Sequence, residues 1–566
     1  MALIAAFSGP SQAAHPAVAV FPSAGTYTAS PESQISFRGA TPSELTGIKV
    51  HGSRSGTHGG VLRAHSDGQG ASFIPNRGFR SGERVSVRAD LPLVGEDRGA
   101  VRFRIARPPG PWSLGKGHDP GGSPEGHQSF VSRPSLEPPS IVVTRRKSRS
   151  HGQGDLFVAA KAGPGQDGPM ISDDRGDLVW FHKNPKHKSA YDFRTQTYQG
   201  RPVLTWWQGR ARPGISYGEG LIYDSSYRRV ATVRAGNGYS ADLHEFEISP
   251  QGTALILAFK PVTFGGTTAM DTLIQEIDIP TGLVMFEWHA LGHISSRESY
   301  APHDRGHPYD VAHLNSLQML PDGNILVSSR HTNAVYKVSI RTGHILWKLG
   351  GRHSDFKMTH ASRFISQHHA RLQPDGSITL FDNGGPPDPG RESRALWLDV
   401  DERNMTVSVR KAYRYRHPLK AFSQGSVQVL GNGDVFVGWG GDEPYFSEYT
   451  AKGSLVWDAH FKPKGDDTYR AYRFPWHGRP VHAPDIAAEA HKGITDVYAS
   501  WNGATEVASW QVLAGPSPDA LAPVRNVARD GFETKATIEN ERAYVQVRAF
   551  DAGGHPLGSS RVVKPT

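Results

Sequence analysis

The 566 residues include no cysteine, which excludes disulfides, thiolate metal sites and cysteine nucleophiles. Export stays open, since a chain this long needs no covalent staples to hold a core. No segment approaches the ~18 consecutive apolar residues of a membrane-spanning helix. The His-x-His and His-Glu-x-x-His spacings of zinc sites are also missing. Acidic residues are outnumbered, 54 to 63 basic ones, giving a net charge of +9 that favours anionic partners. The one dense basic run, TRRKSRSHG from Thr144, has no interleaved aromatics. It reads as a solvated loop beside a strand rather than a nucleic-acid surface.

What the chain has is a repeat. From His313 to Gly351 four short apolar runs (SLQML, ILVSS, AVYKVSI, HILWKL) are separated by turn residues. That is the pattern of two β-hairpins in series. The second-hairpin signature recurs from Ile171, Leu221, Glu276, Lys337, Leu396 and Ser447, at intervals of 50, 55, 61, 59 and 51 residues. Six four-stranded units at that period predict an all-β chain centred on a six-bladed β-propeller spanning 140–475. Residues 17–106 alternate apolar and polar in short runs and predict an immunoglobulin-like β-sandwich. The stretch 107–139 is rich in proline and glycine and reads as a linker or wrapping strap. Residues 476–566 predict a second sandwich of fibronectin-like strand spacing. The first 16 residues, an apolar run followed by Ser-Gln-Ala-Ala, read as the remnant of a signal peptide. Secretion or a cell-envelope location follows from that reading.

Aligning the blades on the turn between their first two strands brings three histidines into one position. His244 lies seven residues before Gln251, His368 seven before Asp375 and His313 nine before Asp322. Innermost strands line a propeller's channel, so these imidazoles should meet at one mouth. Lys260, Arg330 and Asn383 stand at the returning ends of the same hairpins. The cluster supplies hydrogen-bond donors, a cation and groups that titrate near neutrality. The cations argue against a dication and for an anion such as a sulfate, phosphate or carboxylate, so no metal is expected. His289, His293 and His331 have no counterpart in the other blades, and His369 adjoins His368. Trp206, Trp207, Tyr217, Trp439 and Tyr445 are candidate aromatic walls.

The segments DLHEFEISPQGTALI, HLNSLQMLPDGNILVSSRHTNAVYKV and ISQHHARLQPDGSITLFDNG resemble the arylsulfotransferase family of bacteria and fungi. This is the type independent of phosphoadenosine phosphosulfate. The resemblance implies ping-pong transfer of a sulfuryl group from a phenolic sulfate donor to an acceptor phenol, through a sulfohistidine and without a cofactor. By motif position it makes His368 the nucleophile, His313 and Asn315 the family's second histidine and its asparagine, and Arg330 the holder of the sulfonate oxygens. His244 matches the histidine of the first motif, and Lys260, Asn383 and His369 are expected against substrate. The family often has aspartate where this chain has His369. Two other readings compete: a sulfate or phosphate ester hydrolase, and a noncatalytic cell-surface propeller that binds anions or glycans. Neither a nucleic acid nor a membrane is an expected partner, and the sequence is silent on oligomeric state.

Overall fold

A computed structural model describes residues 17–112, 125–147 and 154–566, apart from 164, 213, 304, 305, 386, 387, 389 and 442. The proposed signal remnant and the end of the basic run lie outside the described residues. That run's first residues, Thr144 to Arg146, belong to a strand rather than a loop. Among the described residues the regular structure is β-strand, with a single 3₁₀ turn at Ser296–Glu298. No helix is long and apolar enough to cross a membrane.

Between Asp155 and Phe474 the chain forms six antiparallel sheets, each with a four-stranded core. The unit from His313 folds as the turn residues dictate: Leu314–Met319, Ile325–Ser329, Ala334–Val338 and Ile345–Gly350 pair in chain order. Five of the six neighbouring pairs of innermost strands pack together and the sixth is bridged by the Met319 N–H donating to Glu247 at 3.1 Å, so the six sheets close a ring, the arrangement of a β-propeller. Closure is non-local. Ala471–Phe474 pairs with Asp155–Ala160 and becomes the innermost strand of the first sheet. At the other end, Ile141–Arg146 adds a fifth strand outside the sixth sheet.

Amide side chains fasten one inner strand to the next. Gln318 accepts from the Leu372 N–H at 2.7 Å and donates to its carbonyl at 3.2 Å. Gln428 does the same to Arg473 at 2.8 Å in both directions. Gln196 likewise holds the Ile248 N–H at 2.7 Å. Each pair imitates a step of a strand ladder where blades splay too far apart for backbone pairing. Tryptophans fill the wedges between blades. Trp206, Trp207 and Trp439 are fully buried packing groups, which removes them as walls of a substrate site.

The amino-terminal strands from Ala19 to Arg104 form two four-stranded sheets around one apolar core. They dock on the third blade, where Ser36 Oγ donates to the Met285 carbonyl at 2.9 Å and Ser66 N–H to Asp278 at 2.8 Å. The strands from Asp485 to Ser559 likewise form two sheets over a shared core. The strap between ring and sandwiches stacks Phe130 on Phe532 at 4.4 Å, so it is packed rather than loose.

Candidate active site

His244 and His313 immediately precede the inner strands of the third and fourth blades, and His368 opens that of the fifth. They do meet at one mouth. The rings of His244 and His313 are 4.9 Å apart, centre to centre. Tyr469, ahead of the closing strand, stands 5.8 Å from His244 and 6.3 Å from His368. The fourth hairpin returns Arg330 beside His313, its N–H donating to the His313 carbonyl at 3.0 Å.

His368 is buried, and its protonation state is legible from its partners. Asn383 turns its Nδ2 to the carbonyls of Ala421 and Gln424, at 2.9 and 3.0 Å. Its Oδ1 therefore faces His368 Nδ1, at 2.8 Å, and the Ser366 carbonyl faces the same nitrogen at 3.1 Å. Two acceptors fix the proton on Nδ1 and make Nε2 the acceptor atom. The Gln424 N–H points at that atom from 3.2 Å. Burial, reinforced by the Arg330 charge, holds this imidazole well below the usual histidine range. It is a neutral imidazole with a set tautomer.

His313 and His244 are built alike. His313 Nδ1 meets Asp310 Oδ2 at 2.6 Å, and His244 Nδ1 is paired with Asp242. Burial pushes His313 down to about 4 despite the pull of Asp310. Phe259 stacks flat on His244 at 5.3 Å. Arg330 Nη1 donates to His331 Nε2 at 3.0 Å and Nη2 to the Phe422 carbonyl at 3.1 Å. Its Nε is buried and has no hydrogen-bond partner among the described residues. No described carboxylate forms an ion pair with this guanidinium.

Sequence reasoning misplaced four residues. Lys260 is exposed, because strand alternation gives the site-facing position to its neighbour Phe259. Asn315 is fully buried, with its Nδ2 spent on the Gln367 carbonyl at 2.8 Å, so it braces the strand that opens with His368. Asn383 is buried and orients His368, as described. His369 turns away from the mouth: it accepts the Val427 N–H at 3.2 Å and meets Tyr472 Oη at 3.1 Å.

His331, set aside for want of a matching blade position, belongs to the site, its ring 4.7 Å from that of His313. The only signal was its place next to Arg330. Asp310, His313 and His331 bring potential ligand atoms within 4.8 Å of one another. Internal bonds use those atoms: His331 Nδ1 donates to the Asp310 carbonyl at 2.7 Å while Arg330 holds its Nε2. The donor set with its adjoining guanidinium does not fit a cation.

Beneath the histidines lies a buried charge cluster that the sequence did not announce. Glu245 takes Arg194, Arg371 and Arg470 at 2.8, 2.8 and 3.1 Å. Arg470 Nη2 then holds the carbonyls of both His244 and Asn315, at 3.0 and 2.8 Å. One guanidinium thus fixes the backbone under two site residues.

Residues 194–462 match the model of the arylsulfotransferase (ASST) family. That span, just under half of the chain, is similar to an arylsulfotransferase domain. All the site residues named above from His244 to Phe422 fall inside the matched span. No curated protein matches the chain. Solved structures with similar folds include a protein of unknown function from Bacteroides caccae, 14% identical, covering 56% of this chain and 97% of its own, with a TM-score of 0.35. Another is a catalytically inactive variant of virginiamycin B lyase from Staphylococcus aureus, with quinupristin: 8% identical, 64% and 96% covered, TM-score 0.30.

Proposed function

We propose that this protein transfers a sulfuryl group between phenols through a covalent adduct on His368. The observation that carries the reading is the unpaired Arg330 guanidinium, with its unused Nε, near an imidazole whose Nδ1 carries the proton and whose Nε2 meets only the Gln424 N–H. A sulfate ester repels anionic nucleophiles, and a neutral imidazole escapes that repulsion. Arg330 spreads the charge of the sulfonate oxygens in the transition state, and the Gln424 N–H is placed to add a second donor.

In the first half-reaction His368 Nε2 forms a bond to sulfur as the ester S–O bond breaks, and the phenolate departs with the electron pair. In the second, the acceptor's oxygen forms its bond to sulfur while the N–S bond breaks and the imidazole regains its lone pair. The acceptor's proton passes to His313 or His244, each backed by a carboxylate that steadies the imidazolium as it forms. The Asp310 and Asp242 pairs fix the Nδ1 proton, so Nε2 is the basic atom. Tyr469 and Phe259 supply the aromatic surface beside the reacting centre.

The test is direct. Full-length protein given nitrophenyl sulfate alone should release one equivalent of nitrophenol in a burst and gain one acid-labile sulfuryl group on His368 by mass spectrometry. His368→Ala should lose both. An adduct located on His313 or His244, or transfer that survives His368→Ala, overturns the assignment. Release of free sulfate undiminished by an acceptor phenol would make the protein a hydrolase.

A further inference from the structure

A cavity of about 870 Å³, lined by the first, second and sixth blades, adjoins the histidine cluster through two residues. Gln424, whose N–H touches His368 Nε2, lines it, as does Leu243, the neighbour of His244. Its size suits a ligand much larger than one phenol ring. The aromatic surface is Tyr191, whose ring lies 5.8 Å from Tyr469 of the reacting centre.

The charge on its walls is one-sided. Arg212, Lys462 and Lys464 are exposed in the cavity, and none forms an ion pair with a described residue. Its other cation, Lys161, is buried and paired with Asp467. The remaining carboxylate, Asp466, is turned over Gly163 and stands 3.8 Å from His127 Nε2, and burial pushes it up to about 7. Arg212, Lys462 and Lys464 thus give the wall three positive charges with no ion-pair partner among the described residues.

We infer that this cavity is an acceptor subsite for extended phenols of at least two rings that carry a second anionic group, carboxylate or sulfonate, at the end remote from the hydroxyl. The hydroxyl would face His368, the rings would lie along Tyr191, and the anion would meet Arg212, Lys462 and Lys464. The inference rests on the aryl transfer reading for the word acceptor, but the binding it predicts does not require turnover.

Fluorescence titration of the full chain, without any donor, reads the subsite directly. The probes are 6-hydroxy-2-naphthoate, 6-hydroxynaphthalene-2-sulfonate and uncharged 2-naphthol at pH 7. Both anionic probes should bind at least about 10-fold more tightly than 2-naphthol, and preference for one of them would tell carboxylate from sulfonate. Exposed charges are screened by salt, so raising ionic strength should erode that preference. The triple change Arg212→Gln, Lys462→Gln, Lys464→Gln should bring the ratio to within about 3-fold, and Lys464→Gln alone should lower it in part. Equal binding of charged and uncharged probes to the parent protein, or an unchanged ratio in both variants, overturns the subsite. If the preference holds while His368 gains no sulfuryl group, the subsite stands and the transfer reading falls.

Discussion

Asn383 offers the sharpest test of how the site works, because it touches the nucleophile without touching the reacting atoms. Its three side-chain bonds, 2.8 Å to His368 Nδ1 and 2.9 and 3.0 Å to two carbonyls, serve two purposes. One holds the imidazole in the tautomer that makes Nε2 the acceptor. The others tie down the loop that carries the Phe422 carbonyl and the Gln424 N–H. Asn383→Ala leaves His368 with the Ser366 carbonyl alone, at 3.1 Å. A buried hydrogen bond is worth ~0.5–1.5 kcal/mol net, which is a ~2- to 13-fold loss of correctly oriented imidazole. Loosening the loop loses the placement of Arg330 as well. The combined fall in the nitrophenol burst rate should be on the order of 10- to 100-fold, in kcat more than in KM. Asn383→Asp keeps an acceptor on Nδ1 but places a carboxylate beside the imidazole, which raises its pKa. It should therefore recover part of the rate at pH 8 while moving the acid limb of the burst upward in pH. Rapid-quench kinetics across pH on both variants, with melting curves as the control for folding, decide the matter. A folded Asn383→Ala protein within two-fold of the parent rate would refute the orienting role.

The pH profile of the parent follows from the same burial. His368 is held well below 6.5 and His313 is near 4, so adduct formation should stay flat as pH falls from 8 through 6.5; an acid limb at 6.5 would contradict it. The native state of His313 binds its proton more weakly than the unfolded chain, so its contribution to stability is complete above 6.5 and is lost as pH falls toward about 4. Glu245→Gln leaves Arg194, Arg371 and Arg470 without their shared charge and should cost about 3–5 kcal/mol in urea unfolding, the scale of a broken buried pair. Glu247 accepts the Met319 N–H at 3.1 Å, much as the glutamines of other blades hold their neighbours. Burial raises it from 4.5 to about 7, so its native state holds the extra proton and stability falls as pH rises between those values. Glu247→Gln should abolish that slope and raise the unfolding free energy at pH 8 by up to about 3.5 kcal/mol, at ~1.4 kcal/mol per unit, with no gain at pH 4.

The ring of sheets was legible because turn chemistry repeats. Asp-Gly and Thr-Gly turns between β-branched runs mark hairpins whatever surrounds them, as Pro321 to Asn324 and Arg341 to Gly343 illustrate. The mouth was legible for the same reason: residues a fixed distance from equivalent turns end on the same side. Ring closure by Ala471–Phe474 was not, because its partner lies more than three hundred residues away and nothing local marks the pairing. The charge cluster around Glu245 was hidden too. Arg194, Arg371 and Arg470 come from three blades and look like ordinary surface arginines until the channel encloses them.

Lys260 is misplaced because counting from a turn fixes the end of a strand but not its face. A displacement of one residue turns a side chain to the other side of the sheet, and at the third hairpin that displacement separates Lys260 from Phe259. The two strands that carry His313 and His368 add a second difficulty. Their pairing slips between Leu314 and Ser316 and between His368 and Arg371. Bulges of this kind re-aim side chains and are common beside active sites. At the second bulge His369 takes a left-handed backbone, φ 53°. That turn sends His369 inward to Val427 and Tyr472 while His368 keeps the mouth. Position 369, where the family often has aspartate, is turned from the mouth, and Asn383, fifteen residues on from His368, stands against the His368 Nδ1. Neighbours in sequence carry the motif, but the backbone between them decides which one does the chemistry.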